Sequence, residues 1–301
     1  MKTPVRLAAF AAALAVVFAG AVGIGSAVGP VGTAGQPVDD HNSMTGMTPT
    51  APLAVSSRPV SGVSSSQDGY LLQLAEPIVQ AGQPTRFGFA VLGPDGSSLR
   101  DYQTSHDKEL HLILARRDLT GFQHLHPTRD SQGRWFAPLT VDEPGAYKVF
   151  ADFVPAGTDT KIVLAADLTV PGDYRPTGPV APSRTATVDD YTVTLTGDLR
   201  AGQESALTLS VAQAGRPVTD LEPYLAAYGH LVALRAGDLA YLHVHPEGGP
   251  GDGRTLAGPT VEFMADVPTA GTYALFLDFQ HRGTVRTAAF TVIAHSSEEH
   301  S

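Results

Sequence analysis

The chain has 301 residues, 43% hydrophobic and 17% charged, with 31 glycines and 23 prolines, the composition of a folded protein too long for one small domain. A formal net charge of −10 argues against nucleic acid or an anionic membrane surface as a partner. Cysteine is absent, which excludes disulfides, thiolate metal sites, a lipid-modified cysteine and a blue-copper electron-transfer centre together.

Lys2 and Arg6 precede an apolar run from Leu7 to Val28, long enough to cross a bilayer. Residues 1–30 are therefore expected to be a membrane anchor with its basic end inside, or a cleavable signal cut near Ser26 and Ala27. Either way the rest of the chain is expected to be extracytoplasmic, anchored to the membrane or secreted. Residues 31–65 are rich in Gly, Pro, Ser and Thr and read as a disordered linker. His41, Met44 and Met47 lie close together in it; thioethers beside an imidazole are copper-compatible, but in a flexible tether they are read first as incidental composition.

Beyond the linker the chain repeats itself. "GYLLQLAEPIVQAGQPTRFGFAVLGPDG" at 69–96 aligns with "DYTVTLTGDLRAGQESALTLSVAQAG" at 190–215, and "EPGAYKVFADF" at 143–153 aligns with "TAGTYALFLDF" at 269–279. A duplicated domain follows: repeat 1 over 66–170, a hinge over 171–184, repeat 2 over 185–294, and a disordered tail over 295–301. In repeat 1, strands are expected near 69–75, 84–92, 109–117, 121–126, 134–141, 146–154 and 161–170, between turn signals such as "GPDG", "SQG" and "EPG". Repeat 2 gives the corresponding set near 190–197, 205–212, 229–235, 239–245, 259–267, 272–279 and 284–293. The fold class is all-β: two tandem immunoglobulin-like or cupredoxin-like β-sandwich domains after an N-terminal hydrophobic helix.

Each repeat carries a histidine pair ahead of a proline, "FQHLHP" at 122–127 and "YLHVHP" at 241–246, with a third histidine thirteen positions upstream of the first. Residues two apart on a strand face the same way, so His124 and His126 project together, as do His243 and His245. The linking segments "RRDLTG" and "LRAGDL" look like tight hairpins. An even-numbered loop then brings His111 to the face of His124 and His126, and His230 to that of His243 and His245, at spacings several imidazoles can span to share one ion. Asp152 in "FADF" and Asp278 in "FLDF" are the carboxylates expected to orient or ligate, because a carboxylate among apolar neighbours needs a partner. His106 has no counterpart in repeat 2 and is a candidate additional ligand of the first site; His281 is read as a loop residue. The opposing interpretation makes these histidines hydrogen-bonded core residues and Pro127 and Pro246 strand terminators. Recurrence of all three histidines, the proline and the aspartate, while many neighbours differ, favours a metal: copper first, zinc second.

The segments "HDKELHLILARRDLTGFQHLHP" and "YLAAYGHLVALRAGDLAYLHVHP" resemble the signature segments of secreted or membrane-anchored bacterial proteins, some of which occur in heavy-metal or copper-handling contexts. The resemblance covers 66–294 in two pieces and implies compartment and a metal link rather than a mechanism. No nucleophile elbow, H-E-x-x-H, phosphate-binding glycine loop or cofactor fingerprint occurs, and no enzymatic activity is expected. The function expected from the sequence is extracytoplasmic binding of copper or zinc, one histidine cluster per repeat, in storage, transfer or resistance. The alternative is an anchored structural or interaction protein whose histidines serve the cores.

Overall fold

The computed structural model describes residues 60–178 and 180–296. The expected N-terminal helix, most of the linker with His41, Met44 and Met47, and residues 297–301 of the tail lie outside the described residues. Among the described residues, no helix is long and apolar enough to cross a membrane.

Repeat 1 consists of β1 (Ser66–Gln67), β2 (Tyr70–Leu74), β3 (Thr85–Leu92), β4 (Tyr102–Gln103), β5 (Leu110–Arg116), β6 (Gln123–Leu125), β7 (Thr128–Arg129), β8 (Arg134–Leu139), β9 (Gly145–Pro155) and β10 (Ile162–Val170). Repeat 2 consists of β11 (Thr185–Val188), β12 (Tyr191–Thr196), β13 (Gln203–Gln213), β14 (Arg216–Pro217), β15 (His230–Arg235), β16 (His243–Pro246), β17 (Thr260–Val267), β18 (Gly271–His281) and β19 (Thr284–Ala294). The longer strands fall where alternation and turn residues place them; the short β1, β4, β7, β11 and β14 carry too few residues for a periodic signal. In repeat 1 a sheet in the order β1-β2-β3-β8-β7 faces one in the order β10-β9-β5-β6, and in repeat 2 β11-β12-β13-β17-β16 faces β15-β18-β19. Every named strand pair is antiparallel. This is the expected all-β tandem of sandwiches.

Each sandwich has its own core. In repeat 1 Leu110, Leu112 and Leu114 of β5 pack with Val149, Ala151 and Phe153 of β9, Phe87, Phe89 and Trp135. In repeat 2 Leu231 and Ala233 of β15 pack with Leu275, Leu277 and Phe279 of β18 and with Phe263. A third apolar cluster lies between the repeats. It takes the alternate residues of the same strands, Ile113, Ala115 and Phe150 from one side and Val232, Leu234 and Phe276 from the other. The sheets containing β5 and β15 therefore bury both faces, one in their own sandwich and one against the other repeat.

Contacts across this third cluster are reciprocal. Phe122 stacks on Phe276 with ring centroids 4.1 Å apart and an interplanar angle of 5°, while Phe150 meets Tyr241 at 5.8 Å. Phe122 and Tyr241 each stand two residues before a histidine pair, and Phe150 and Phe276 two residues before an aspartate. Each repeat thus offers the same two positions to the other, the self-complementary arrangement of an isologous interface. Residues ahead of β1 run along its edge: the Gly62 N–H donates to the Val163 carbonyl (3.0 Å), the Ala165 N–H to the Ser64 carbonyl (2.8 Å), and the Tyr241 N–H to the Ser61 carbonyl (2.9 Å).

Candidate metal centre

The β5–β6 hairpin and the turn that leads from β15 toward β16 close by the same chemistry. The Arg116 N–H donates to the Thr120 carbonyl and the Leu119 N–H to the Arg116 carbonyl; in repeat 2 Arg235 pairs likewise with Ala240, and Leu239 with Arg235. Leu119 and Leu239 adopt φ of 67° and 61°, an unusual conformation for leucine, and in each turn an aspartate, Asp118 or Asp238, holds the arginine guanidinium. On the first hairpin the β5–β6 ladder pairs Leu112 with Leu125 and Ile113 with His124. With this register His124 and His126 share the face of His111 and Ile113, the face turned toward repeat 2. On β9, Asp152 stands directly opposite His111; on β18, Asp278 stands directly opposite His230.

His111, His124 and His126 converge. One ring nitrogen from each lies within 4.8 Å of the others, and the ring centroids are 5.2, 5.4 and 4.7 Å apart. Imidazoles bound ~2.0 Å from a tetrahedral ion have nitrogens ~3.3 Å and ring centres ~5 Å apart, so the trio is close to a ligand geometry and needs adjustments of about 1.5 Å at most. His111 is 8% exposed, and Asp278 3%. Burial disfavours the charged form of two of these rings: it lowers the pKa of His126 to about 3, with His124 nearby as the next cause, and that of His111 to about 4. Neutral imidazole is the form that ligates metal.

Hydrogen-bond partners assign the protons. His111 Nε2 lies 3.1 Å from the Ser105 carbonyl, which only accepts, so Nε2 carries the hydrogen and Nδ1 of the neutral ring is a bare lone pair. His124 Nδ1 lies 2.8 Å from Asp278 Oδ2; an ionised carboxylate only accepts, so Nδ1 carries the hydrogen and Nε2 is bare. Those two bare nitrogens face each other at 3.0 Å. Two lone pairs do not attract, so the contact requires a positive centre: a proton shared by the rings, or a metal ion. His126 Nε2 is buried beside them without any hydrogen-bond partner, a state that costs about 1–3 kcal/mol. His126 Nδ1 lies 3.4 Å from the Tyr224 hydroxyl.

The aspartates find different partners. Asp278 accepts from Thr287 Oγ1 at 2.5 Å as well as from His124, which is 154 residues distant in sequence and belongs to the other repeat. Asp152 pairs with Lys161 Nζ at 2.9 Å and with the Tyr241 hydroxyl, whose pKa is raised well above 10 by burial and then by the Asp152 charge. His230 of repeat 2 is 7% exposed and sits among the histidines of repeat 1, ring centroids 6.3 Å from His111 and from His124 and 5.2 Å from His106. Its Nε2 donates to the Tyr224 carbonyl at 2.8 Å, as His111 does to Ser105, and its pKa falls to about 4 through burial. His106 (φ 50°) occupies a left-handed turn that repeat 2 reproduces at Leu225 (φ 53°). A cleft of about 40 Å³ separates these rings, lined by His106, His111, His124, His230, Asp152 and Lys161.

The hairpin expected to join His230 with His243 and His245 does not extend to the histidines: beyond the bridge Leu234–Tyr241 the chain crosses to the other sheet, where β16 pairs with β17, His243 opposite Asp266 and His245 opposite Met264. The side chain of His243 lies outside the described residues. His245 is half-exposed and stands 3.4 Å from Glu247. His281, expected in a loop, is instead 2% exposed at the end of β18; the strand runs two residues past its predicted limit because the turn falls at Arg282 and Gly283. Its ring bonds to the Tyr191 hydroxyl at 2.7 Å and to Asp220 at 3.1 Å. His295, assigned to the tail, bridges to Arg200. Sequence reading missed Tyr224 and Ser105 because they occupy matched positions with unlike residue types, one acting through its hydroxyl and both through backbone carbonyls.

The domain-of-unknown-function family DUF8832 matches residues 65–172 and 186–296. The chain belongs to this family. It comprises two copies of the DUF8832 domain, and the matched segments contain both histidine sets. No curated protein matches the chain. Among solved structures it is similar to the Escherichia coli adhesin FdeC, at 19% identity and a TM-score of 0.26 over 77% of this chain and 65% of the adhesin, so the chain spans less than two thirds of that protein. A chimeric titin Z1Z2 tandem matches at 14% identity and a TM-score of 0.19, over 75% of this chain and 96% of that one. Domains 4–9 of the surface layer protein SbsC match at 10% identity and a TM-score of 0.21, over 75% and 31%. These values are too low for any of the three to inform function.

Proposed function

We propose that this protein binds copper, or zinc in its place, in an extracytoplasmic compartment, through His111, His124 and His126, for storage, transfer or resistance. The observation that carries the reading is the pair of bare nitrogens, His111 Nδ1 and His124 Nε2, facing each other at 3.0 Å beside the unpartnered His126 Nε2. One cation answers all three. Three neutral imidazoles without thiolate suit Cu(II) and Zn(II), and the intrinsic affinity order favours copper. Nothing in the donor set identifies a substrate, and a binding role is favoured over a catalytic one. The matched histidines of repeat 2, His230, His243 and His245, are proposed as the second ligand set. The apolar segment Leu7–Val28 supports export, with the domains tethered to the membrane or released from it.

The test is a titration of metal-stripped protein purified without a histidine tag. Binding of at least one equivalent of Cu(II) or Zn(II) at micromolar concentration, lost in the His124→Ala, His126→Ala double variant, supports the reading. Failure of the intact chain to bind either ion at that concentration overturns it and leaves the alternative, a structural or interaction module of two β-sandwiches.

A further inference from the structure

The three ligand rings come from repeat 1, yet two of them are held by repeat 2. His111 is oriented within its own domain by the Ser105 carbonyl. His124 is oriented by Asp278, which is itself fixed by Thr287 on β19. His126 has its Nδ1 against the hydroxyl of Tyr224, which belongs to the segment ahead of β15; the Tyr224 ring also packs on His126 and His230, centroids 5.9 and 5.8 Å away. When His126 Nδ1–H donates to this hydroxyl, the buried Nε2, which has no hydrogen-bond partner, is left as a lone pair. Asp278 acts on His124 in the same way, fixing its tautomer and the orientation of its ring.

Resting on the metal-binding reading above, we infer that the centre is completed across the interface between the repeats. Asp278 and Tyr224 are positioning residues supplied by repeat 2, and the metal affinity of the repeat 1 histidines depends on the docking of repeat 2. The aromatic contacts Phe122–Phe276 and Phe150–Tyr241 set that docking, because Phe276 is two residues from Asp278 on the same face of β18. An ion held here links the two sandwiches.

Two near-isosteric substitutions in the full chain test this. Asp278→Asn keeps the side-chain volume and removes the charge; Tyr224→Phe keeps the ring and removes the hydroxyl. Thermal transitions of the metal-free variants establish that each is folded. Titration with Cu(II), and with Co(II) as a spectroscopic stand-in for zinc, is expected to show affinity reduced by roughly 10- to 100-fold in Asp278→Asn and by roughly tenfold in Tyr224→Phe. The paramagnetic resonance spectrum of bound Cu(II) and the visible bands of bound Co(II) should shift in both, which a purely structural contribution would not cause. In a His124→Ala background Asp278→Asn should lower the residual affinity no further, since its effect passes through that ring. Wild-type protein that binds metal while both variants match its affinity within about twofold and its spectra overturns this inference and leaves metal binding intact. Wild-type protein that binds neither ion overturns the reading beneath it, and this inference with it.

Discussion

His126 illustrates at the scale of one residue how binding competence opposes stability. Its Nε2 is buried without a partner, so an apolar side chain of similar size should suit the metal-free protein better. His126→Leu is expected to raise the unfolding free energy of the metal-free chain by about 1–2 kcal/mol while removing tight metal binding; chemical denaturation and metal titration measure the two effects. The depressed pKa of His230, about 4 against an ordinary 6.5 through burial, fixes a pH dependence. Between those values the unfolded chain takes up protons that the folded chain refuses, so the metal-free protein should lose stability as pH falls from about 6.5 to about 4 and change little from this cause below that. A series of melting temperatures in metal-free buffer checks the sign; a rise over that window would contradict burial of a neutral ring. The histidine spacing was legible in the sequence because residues two apart on a strand share a face by geometry alone. Tyr224 was not, since nothing local marks a tyrosine whose hydroxyl serves a ring on another domain.

At the scale of elements, β5 and β15 carry the fold and the candidate site together. Their near-continuous apolar runs, "LHLILA" and "HLVAL", bury one alternate set in the parent sandwich and the other between repeats. Sequence periodicity marks such a strand as doubly buried without saying what covers its second face. Phe276, 4% exposed and stacked on Phe122, tests the second face: Phe276→Ala should cost about 3–5 kcal/mol, read by denaturant unfolding. The segment before β1 has a comparable constraint. Gly62 has φ of +70°, and a Cβ there would stand 2.7 Å from Tyr241 Cβ, so Gly62→Val should be destabilising by at least ~1 kcal/mol through strain and overlap. A variant as stable as wild type would show that this segment does not pack between the repeats.

At the largest scale, duplication produced two sandwiches that meet by equivalent faces, and His111, His124, His126 and His230 cluster at that junction. A ligand that binds only the docked, folded form stabilises it by mass action. Free Cu(II) or Zn(II) at about a hundredfold above the dissociation constant should add about 2.7 kcal/mol, seen as a higher melting temperature that a chelator reverses. The sequence by itself determined the all-β class, the two repeats, the positions of the longer strands, and the common face of His111, His124 and His126, because each depends on short-range spacing and chain geometry. Only the tertiary structure decided that His230 stands among the histidines of the first repeat and that Asp278, opposite His230 on its own sheet, gives its hydrogen-bond acceptor to His124. Those contacts depend on how two finished domains dock, a matter of surface shape and burial that no interval along the chain encodes.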